Sequence, residues 1–279
     1  MLQRLDYDAA CRRIEELQLS KKFRVAILYI CTGKYTVFWE DFYQSFERNF
    51  LNDSEIEYFV FTDAHKLYAE ENNSRIHRIY QENLGWPGNT LFRFRMFIGI
   101  REQLKGFDYL FFVNANTVCR EEITEEEFLP VKQDLLVVQH PGYYRCRAWR
   151  LPYERRRISG ACIPRGQGKY YVYGAINGGK AEAFLNMAEK LNEDIEKDYE
   201  KGIIAKWHDE SHLNHYIWNY GNYKLLTPAY AYPENYKLPF DMKITILDKS
   251  RKIELDRDKL RELRDRSIRG RIAKIFKGR

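Results

Sequence analysis

Three residues of one short segment, His208, Glu210 and His212, have side chains that could bind a metal ion. Histidines four residues apart share one face of a helix, and imidazole is a preferred zinc ligand. The order of these residues is HxExH, however, whereas zinc proteases carry HExxH, so no zinc site is expected. The segment then offers two carboxylates, Asp209 and Glu210, at the amino end of a predicted helix, from which they can project into a cleft.

Two asparagines, Asn114 and Asn116, directly follow a strand that is predicted to be buried on both faces, FDYLFFV (residues 107–113). Two aspartates in these positions could hold a divalent cation, and such a cation can bind phosphate groups. An asparagine amide is a poor cation ligand but a good hydrogen-bond partner for ribose or phosphate. Taken alone, such a pair is also common in a turn that ends a strand.

Strands and helices alternate along the first half of the chain, and this alternation predicts a doubly wound α/β sheet. The ligands of such sheets lie beyond the carboxyl ends of the strands. Thr90 is expected to cap a helix that runs to about Leu104, and Asp209 or Ser211 to cap the helix that starts near His208. Apolar runs and apolar spacing predict the remaining elements: strands at residues 23–31, 58–63, 75–80, 107–113 and 169–176, helices at 36–50 and 180–200, and a turn at 178–179.

The cysteines and the amino-terminal residues both bear on where the protein works. Five cysteines form no CxxC pair, which argues against a disulfide framework and indicates a reducing compartment. Residues 1–22 carry charges throughout and no apolar run, so we expect neither a signal peptide nor a membrane anchor. The sequence therefore predicts a cytoplasmic protein.

The basic character of the chain is concentrated in its last residues. Residues 249–279 hold thirteen Lys and Arg against five Asp and Glu, while the whole chain has a net charge of +6. From Leu260 onward, apolar residues recur at helical spacing and predict a basic amphipathic helix. Three interpretations stay open: contact with the anionic inner face of a membrane, packing against the body of the protein, and nucleic-acid binding. No aromatic interleaving supports the third, so we expect no nucleic-acid partner.

Seven segments, in the same order throughout, resemble family 6 of the glycosyltransferases, the family of the blood-group A and B transferases and of the α-1,3-galactosyltransferase. The similarity is greater to the bacterial members. It implies a GT-A fold, a UDP-sugar donor, retention of anomeric configuration, and α-1,3 transfer to a β-galactoside that is often fucosylated. The segments are YFVFTD (58–63), LGWPGNTLFRF (84–94), DYLFFVNAN (108–116), HPGYY (140–144), YERR (153–156), YYVYGAINGG (170–179) and WHDESHLN (207–214).

The same resemblance implies a set of donor-binding residues. Ile30, Thr32 and Tyr35 are similar to the uridine pocket, and Arg93 to a helix arginine that reaches the donor. Asn114 and Asn116 replace the aspartates that bind manganese in the mammalian members, and Asn-Ala-Asn in bacterial relatives goes with metal independence, so no cofactor is expected. Positive side chains are then needed to stabilise the departing UDP. The candidates are Lys249, Arg251 and Lys252.

Donor-sugar recognition and the reaction itself are also implied by the resemblance. Glu210 is similar to the carboxylate under the anomeric carbon, acting either as a nucleophile or as the partner of an oxocarbenium ion. Asp209 is expected to hold sugar hydroxyls. The segment Tyr173, Gly174 and Ala175 lies where the family reads the C2 group of the donor, and Ala175 favours UDP-galactose over UDP-N-acetylgalactosamine, although Tyr173 departs from the common residues.

The acceptor residues implied by the resemblance are His140, Trp207 and Glu210, with Pro152 near the acceptor region. Residues 1–22 are predicted to be a helical extension, 23–248 a single GT-A catalytic domain, and 249–279 a basic tail, which makes peripheral membrane contact a further expectation. Two other functions remain open at this point. A carbohydrate-binding protein could have kept the fold without turnover, and a nucleotide-sugar hydrolase would release UDP without an acceptor.

Overall fold

A seven-stranded mixed sheet forms the centre of the protein, which is described here by a computed structural model covering residues 22–253. The strands are β1 Arg24–Ile30, β2 Glu55–Thr62, β3 Ile76–Tyr80, β4 Tyr109–Val113, β5 Thr117–Cys119, β6 Leu135–Gln139, β7 Val172–Lys180, β8 Tyr223–Leu226, β9 Tyr232–Pro233 and β10 Ile244–Ile246. The order in the main sheet is β3-β2-β1-β4-β7-β6-β8, and β5, β10 and β9 form a small second sheet. Because β1 to β4 run parallel and only β7 runs against its neighbours, the predicted α/β architecture is confirmed.

Helices and short 3-10 turns connect the strands. The helices are α1 Trp39–Asn49, α2 Gly85–Leu91, α3 Arg93–Gly99, α4 Glu125–Phe128, α5 Ala181–Glu200 and α6 His208–Tyr220. The 3-10 turns are Gly33–Phe38, Glu70–Asn72, Arg101–Leu104, Ala148–Arg150, Pro228–Ala231 and Lys249–Arg251.

Apolar side chains cover both faces of the sheet. On one face, Trp39, Phe42 and Phe46 of α1 pack against alternate residues of the strands, such as Tyr29. On the other face, α3 and α5 contribute a second core that includes Phe97. Side chains of successive strand residues point to opposite faces, so a strand with helices on both sides must be apolar throughout. This is why β1 and β4 read as continuous apolar runs.

Three local predictions were wrong. Thr90 does not cap a helix, because α2 begins five residues earlier at Gly85 and Thr90 lies inside it. Neither Asp209 nor Ser211 caps α6; the Ser211 hydroxyl instead accepts a hydrogen bond of 2.9 Å from the backbone N–H of Trp207. Gly178 and Gly179 are not a turn.

The two glycines lie inside β7, between β4 and β6. A Cβ atom at Gly178 would come within 2.4 Å of the Leu110 carbonyl oxygen, and one at Gly179 within 2.2 Å of the Asp134 carbonyl oxygen. Glycine is needed there because the backbones approach too closely for any side chain. A pair of glycines in the sequence could equally have marked a turn.

The predicted division of the chain stays a prediction. The expected helix over residues 1–22 and the expected amphipathic helix from residue 260 fall almost entirely outside the described residues. Within residues 22–253, no helix has the length and apolar character needed to cross a membrane.

Candidate active site

One edge of the sheet brings together the polar residues that the sequence had marked. Thr32 follows β1, Asn114 follows β4 and His140 follows β6, all at the carboxyl ends of these strands. Gly174 lies near the start of antiparallel β7 and therefore at the same edge. A cleft of about 210 Å³ opens here. Its lining consists of Thr90, Arg93, Asn114, Tyr173, Gly174, Ala175, Trp207, His208, Asp209, Glu210 and Lys249.

Glu210 lies in the first turn of α6 and faces the cleft. Its Oε2 accepts a hydrogen bond of 2.8 Å from the backbone N–H of Gly174. Burial raises the pKa of Glu210 to about 7, although the Gly174 N–H and the nearby Tyr171 hydroxyl act in the opposite direction. The carboxyl group is thus held in a fixed position and is close to half ionised at neutral pH.

Arg93 and Asp209 form a buried ion pair beside Glu210. Arg93 Nε lies 3.0 Å from Asp209 Oδ2, and the two side chains are 9% and 3% exposed. The guanidinium also donates to the carbonyl oxygen of Gly174 at 3.0 Å and lies 4.5 Å from the centre of the Phe112 ring. Burial outweighs the attraction of Arg93 and raises the pKa of Asp209 to about 6. Its other oxygen, Oδ1, is buried and has no hydrogen-bond partner within residues 22–253.

The two asparagines make different contacts. Asn114 is half-buried and lines the cleft, and its amide donates to Asn116 Oδ1 at 2.9 Å. Asn116 is 2% exposed, and its own amide donates to the carbonyl oxygen of Leu247 at 2.6 Å. The backbone N–H of Leu247 returns a hydrogen bond of 2.7 Å to the Asn116 carbonyl oxygen. Asn116 therefore ties the segment after β10 to the tip of β4.

That tie brings Lys249 into the cleft, two residues beyond Leu247. Lys249 Nζ lies 5.0 Å from the centre of the Tyr35 ring. Arg251 and Lys252 do not line the cleft: Arg251 forms an ion pair with Glu234, and Lys252 with Asp41. Of the three cations proposed from the sequence, the structure places only Lys249 beside Asn114.

The candidate uridine residues lie at the end of β1. Thr32 is 3% exposed, and its hydroxyl accepts a hydrogen bond of 2.9 Å from the amide of Asn89. Ile30 and Tyr35 are half-buried. The Tyr35 ring contacts Lys249, which lines the cleft. Ile30 packs against the core on the α3 side of the sheet.

His140 lies beside the cleft among aromatic rings, with its ring centre 4.5 Å from that of Tyr173. Burial lowers the pKa of His140 to about 4, so the ring is neutral at physiological pH. Its Nδ1 accepts a hydrogen bond of 3.0 Å from the backbone N–H of Gly142. The proton of the neutral ring is therefore on Nε2, which makes that atom a donor. Trp207 is 43% exposed at the cleft, and Pro152 is buried away from its lining.

Comparison with known proteins identifies the family. The sequence profile of glycosyltransferase family 6 matches residues 10–257. The O-antigen biosynthesis glycosyltransferase WbnI of Escherichia coli is 37% identical over 227 residues, which cover 81% of this chain and 95% of WbnI. This chain belongs to glycosyltransferase family 6. It is also similar to the globoside α-1,3-N-acetylgalactosaminyltransferase 1 of Gallus gallus, at 28% identity over 81% of this chain and 67% of that protein. The histo-blood group ABO system transferase 2 of Rattus norvegicus is 28% identical over 77% of this chain and 67% of its own length.

Membership of family 6 confirms the predicted family, the GT-A type of fold and the class of enzyme, a glycosyltransferase. It implies a nucleotide-sugar donor and a glycan acceptor. Within residues 22–253, no group of three or more histidine, cysteine, aspartate or glutamate side chains could hold a metal ion. The side-chain amides of Asn114 and Asn116 hydrogen-bond to each other and to Leu247, and they offer no carboxylate to a cation.

Two residues of this family 6 site were not singled out from the sequence. Tyr171 lies close enough to Glu210 to lower its pKa, and Phe112 lies under the Arg93 guanidinium. Tyr171 could have been found, because it stands two residues before Tyr173 in an extended segment and so points to the same side. The role of Phe112 depends on helix α3 crossing β4, which no local pattern encodes.

Proposed function

We propose that this enzyme transfers galactose from UDP-galactose to a β-galactoside with retention of anomeric configuration and without a metal ion. UDP-N-acetylgalactosamine is the alternative donor. The acceptor would belong to a surface glycan and would often carry a 2-linked fucose. The observation that carries the proposal is the Glu210 carboxylate, fixed by the Gly174 N–H at the floor of the cleft, with Lys249 and Asn114 lining the same cleft.

The proposed donor position follows from the charges around the cleft. Ile30, Thr32 and Tyr35 at the end of β1 would hold the uridine. The diphosphate would then lie between Asn114 and Lys249, because that ammonium group is the cation that reaches the cleft without a carboxylate partner among residues 22–253. Such a contact is charge-assisted and is about twice as strong as a neutral hydrogen bond.

The donor sugar would lie over α6. Asp209 Oδ1 is buried without a hydrogen-bond partner among residues 22–253, so a sugar hydroxyl would bind it once the carboxylate turns toward the cleft, while Oδ2 is held by Arg93. Arg93 is buried beneath the sugar position and hydrogen-bonded to Gly174, so we assign it to orienting Asp209 and β7, and its contact with the donor stays a prediction. Arg251 and Lys252 were also predicted to bind the donor, and their ion pairs with Glu234 and Asp41 would have to open for that.

The reaction breaks the bond between the anomeric carbon and the β-phosphate oxygen, and the electron pair leaves with UDP. Glu210 either attacks the anomeric carbon, forming an ester that the acceptor hydroxyl then displaces, or stabilises an oxocarbenium ion while the acceptor attacks from the side of departing UDP. Both routes retain configuration, and both need the ionised carboxylate. The proton of the acceptor hydroxyl passes to the departing diphosphate. Lys249 would offset the negative charge that develops there.

Metal independence is supported by the chemistry of the strand tip. Asn116 has both amide atoms engaged in hydrogen bonds, and Asn114 offers only a neutral oxygen to a ligand. Neutral amide oxygens bind divalent cations far more weakly than carboxylates do. A cationic side chain opposite the amides, Lys249, can supply the positive charge that a metal ion would otherwise bring.

The acceptor would lie between His140 and Trp207. The neutral His140 ring can donate a hydrogen bond from Nε2 to an acceptor oxygen, and Trp207 offers an exposed apolar face to the C–H groups of galactose. Pro152 was also predicted to lie near the acceptor, and its burial restricts it to an indirect contribution through the surrounding loop. WbnI acts in O-antigen biosynthesis, which supports a surface glycan as the acceptor.

The preference for galactose rests on Ala175, which lines the cleft and is 4% exposed. A methyl group facing the C2 position of the sugar disfavours the larger N-acetyl group, and one such group changes preference by ~1–3 kcal/mol. The Ala175→Gly variant should therefore improve turnover with UDP-N-acetylgalactosamine relative to UDP-galactose.

The decisive experiment measures UDP release from UDP-galactose with and without lactose or 2′-fucosyllactose, in EDTA and in manganese. We expect the acceptor to accelerate release by at least tenfold over slow hydrolysis, and EDTA to have no effect. Glu210→Gln should lower acceptor-dependent release by about three orders of magnitude or more. UDP release at the same rate with and without the acceptor would indicate a hydrolase. Binding of the sugars without UDP release would indicate a carbohydrate-binding protein. Loss of activity in EDTA would refute metal independence.

A further inference from the structure

The loop after His140 contains a short turn with an unusual surface. We call residues 145–150, with the sequence RCRAWR, the Trp149 turn. Trp149 is 68% exposed, and Arg145, Arg147 and Arg150 are exposed as well. The Arg150 guanidinium lies 4.9 Å from the centre of the Trp149 ring. A large apolar side chain is thus displayed to solvent among three cations.

These cations are not neutralised by nearby carboxylates. Within residues 22–253, none of the three arginines of the Trp149 turn forms an ion pair, whereas other arginines, such as Arg75 and Arg101, do. Residues 140–170 hold eight Lys and Arg against one acidic residue, Glu154. Glu154 is 3% exposed and is already bound by Arg156. The outer surface of this loop is therefore strongly positive.

The same pattern occurs a second time in the loop. Arg155, Arg156 and Arg157 are followed by Ile158, which is 67% exposed. A single exposed apolar residue is normal on a protein surface. This loop exposes two of them, and each stands beside several arginines.

The Trp149 turn has a defined place in the fold. A chain of backbone hydrogen bonds leads to it from His140, through Tyr143 and Cys146, and the turn itself is closed by the bond from the Arg150 N–H to the Arg147 carbonyl oxygen at 2.8 Å. Directly after the turn, Leu151 is 5% exposed and anchors the loop in a small apolar core. The turn is therefore held in a defined position in the loop that follows β6.

We propose that the Trp149 turn docks on a lipid bilayer that contains anionic lipids. Trp149 would enter the headgroup region, and the three arginines would contact lipid phosphates. Tryptophan is the side chain that favours the membrane–water interface, and clusters of Lys and Arg beside an apolar residue bind anionic bilayers. A protein partner is less suited, because a protein interface surrounds such a tryptophan with further apolar area, whereas here its neighbours are cations.

Docking in this way would bring the loop that begins at His140 to the membrane surface. If the proposed function holds, acceptor glycans carried on lipids would then lie near His140. The Trp149 turn shares no residue with the basic segment 249–279, and its proposed binding to lipid does not depend on which sugar the enzyme transfers.

The test compares binding of the full-length protein to vesicles of phosphatidylglycerol and phosphatidylethanolamine with binding to phosphatidylcholine vesicles. The variant Arg145→Gln, Arg147→Gln, Arg150→Gln removes three charges from the turn. We expect it to bind the anionic vesicles at least about tenfold more weakly, because each cation near such a surface contributes to binding. Neutral vesicles should bind all forms weakly.

A matched control removes three charges from the opposite edge of the sheet. Lys22, Lys105 and Lys132 precede β1, β4 and β6 and are all exposed. Replacing them with glutamine changes the net charge by the same amount, and we expect less than about twofold weaker binding. The tail is present in every form, so its own affinity for the membrane cancels in the comparison.

A second measurement reports on Trp149 directly and does not rely on the triple variant. Vesicles with brominated acyl chains should quench the tryptophan fluorescence of the wild type, and the Trp149→Phe variant should lose that quenching. Equal binding of the triple variant and the control would overturn the proposal, as would quenching that Trp149→Phe leaves unchanged. Binding of an oligonucleotide through these arginines in preference to the vesicles would also overturn it. Both measurements are made without substrates, so their failure is distinct from failure of the proposed activity.

Discussion

Glu210 is held by groups with opposing effects on its ionisation. Burial and the neighbouring Asp209 raise its pKa, whereas the Gly174 N–H, the Tyr171 hydroxyl and Arg93 lower it. The balance leaves the pKa at about 7. Since the proposed reaction needs the carboxylate, the acid form below this pKa is inactive. The rate should therefore rise with pH and level off above pH 7.

The Tyr171→Phe variant tests this balance. Loss of the hydroxyl removes a group that lowers the pKa of Glu210, so that pKa rises and the acid limb of the pH profile moves to higher pH. The measurement is kcat/KM for transfer between about pH 5 and pH 9. Tyr153→Phe is the control, because its hydroxyl donates to the Tyr170 carbonyl oxygen instead. An unchanged limb, or one moved to lower pH, in Tyr171→Phe would contradict the assignment.

Asn116 acts through the segment it binds. Its amide donates to Leu247 and fixes the approach of Lys249 to the cleft. An aspartate there has no proton to donate and would place a buried charge against a carbonyl oxygen. Asn116→Asp should lower the free energy of unfolding by ~1–3 kcal/mol and raise the donor KM, and manganese should restore neither.

A double-mutant cycle separates positioning from general damage. If Asn116 acts by placing Lys249, Asn116→Asp should add little to the donor KM of the Lys249→Gln variant. Additive effects of the two changes would show that Asn116 acts independently of Lys249. Recovery of activity with manganese would mean that the strand tip retains a metal site.

At the level of elements, β7 is the strand that the sequence described least well. Its interior glycines looked like a turn, yet they allow β7 to lie between β4 and β6. Gly178→Ala should cost ~3 kcal/mol or more of unfolding free energy, because the new Cβ would overlap the Leu110 carbonyl oxygen. Gly99→Ala at the end of α3 is the matched control, since no atom lies within 4 Å of the added Cβ. The measurement is the urea concentration at the unfolding midpoint of both variants. Equal midpoints would contradict the close approach of Gly178 to the Leu110 backbone.

The elements that were predicted well share a physical basis. The strands β1, β2 and β4 are short apolar runs, and helix α1 repeats apolar residues at helical spacing, so local sequence determines them. The extension of β7 depends on contacts with distant residues, because Gly178 and Gly179 lie against the backbone of Leu110 and Asp134. Ser211 binds the N–H of Trp207, four residues earlier, and α2 begins at Gly85 without a side-chain cap, so standard capping patterns did not identify either feature.

In the candidate site too, some residues could be predicted from the sequence and others could not. Residues next to strand ends, such as Asn114 and His140, could be assigned to the cleft because topology gathers these ends at one edge. The carboxyl-terminal cations could not be separated from one another by sequence. Lys249 enters the cleft, while Arg251 and Lys252 pair with carboxylates that lie far from them in the chain. Such pairs are visible only in three dimensions.

At the scale of the whole molecule, the cleft is assembled from distant parts of the chain. Tyr35 follows the first strand, Asn114 the fourth, and Lys249 follows the last strand of the small sheet. The small sheet pairs β10 with β5, the strand that directly follows Asn116. The chain thus returns to the tip of β4 near its end, and it brings there the positive charge that the two amides lack.

The last prediction tests that arrangement. Lys249→Gln shortens the side chain by one atom and removes the charge opposite the diphosphate, so we expect the donor KM to rise by about tenfold to a hundredfold, as for a lost charged hydrogen bond of ~1.5–3 kcal/mol. Arg251 lies two residues after Lys249 and is paired with Glu234. Arg251→Gln therefore removes the same charge outside the cleft, and it should leave the donor KM nearly unchanged. The measurement is initial velocity against UDP-galactose concentration at saturating lactose. If Arg251→Gln has the larger effect, the segment rearranges on donor binding and a different cation meets the diphosphate.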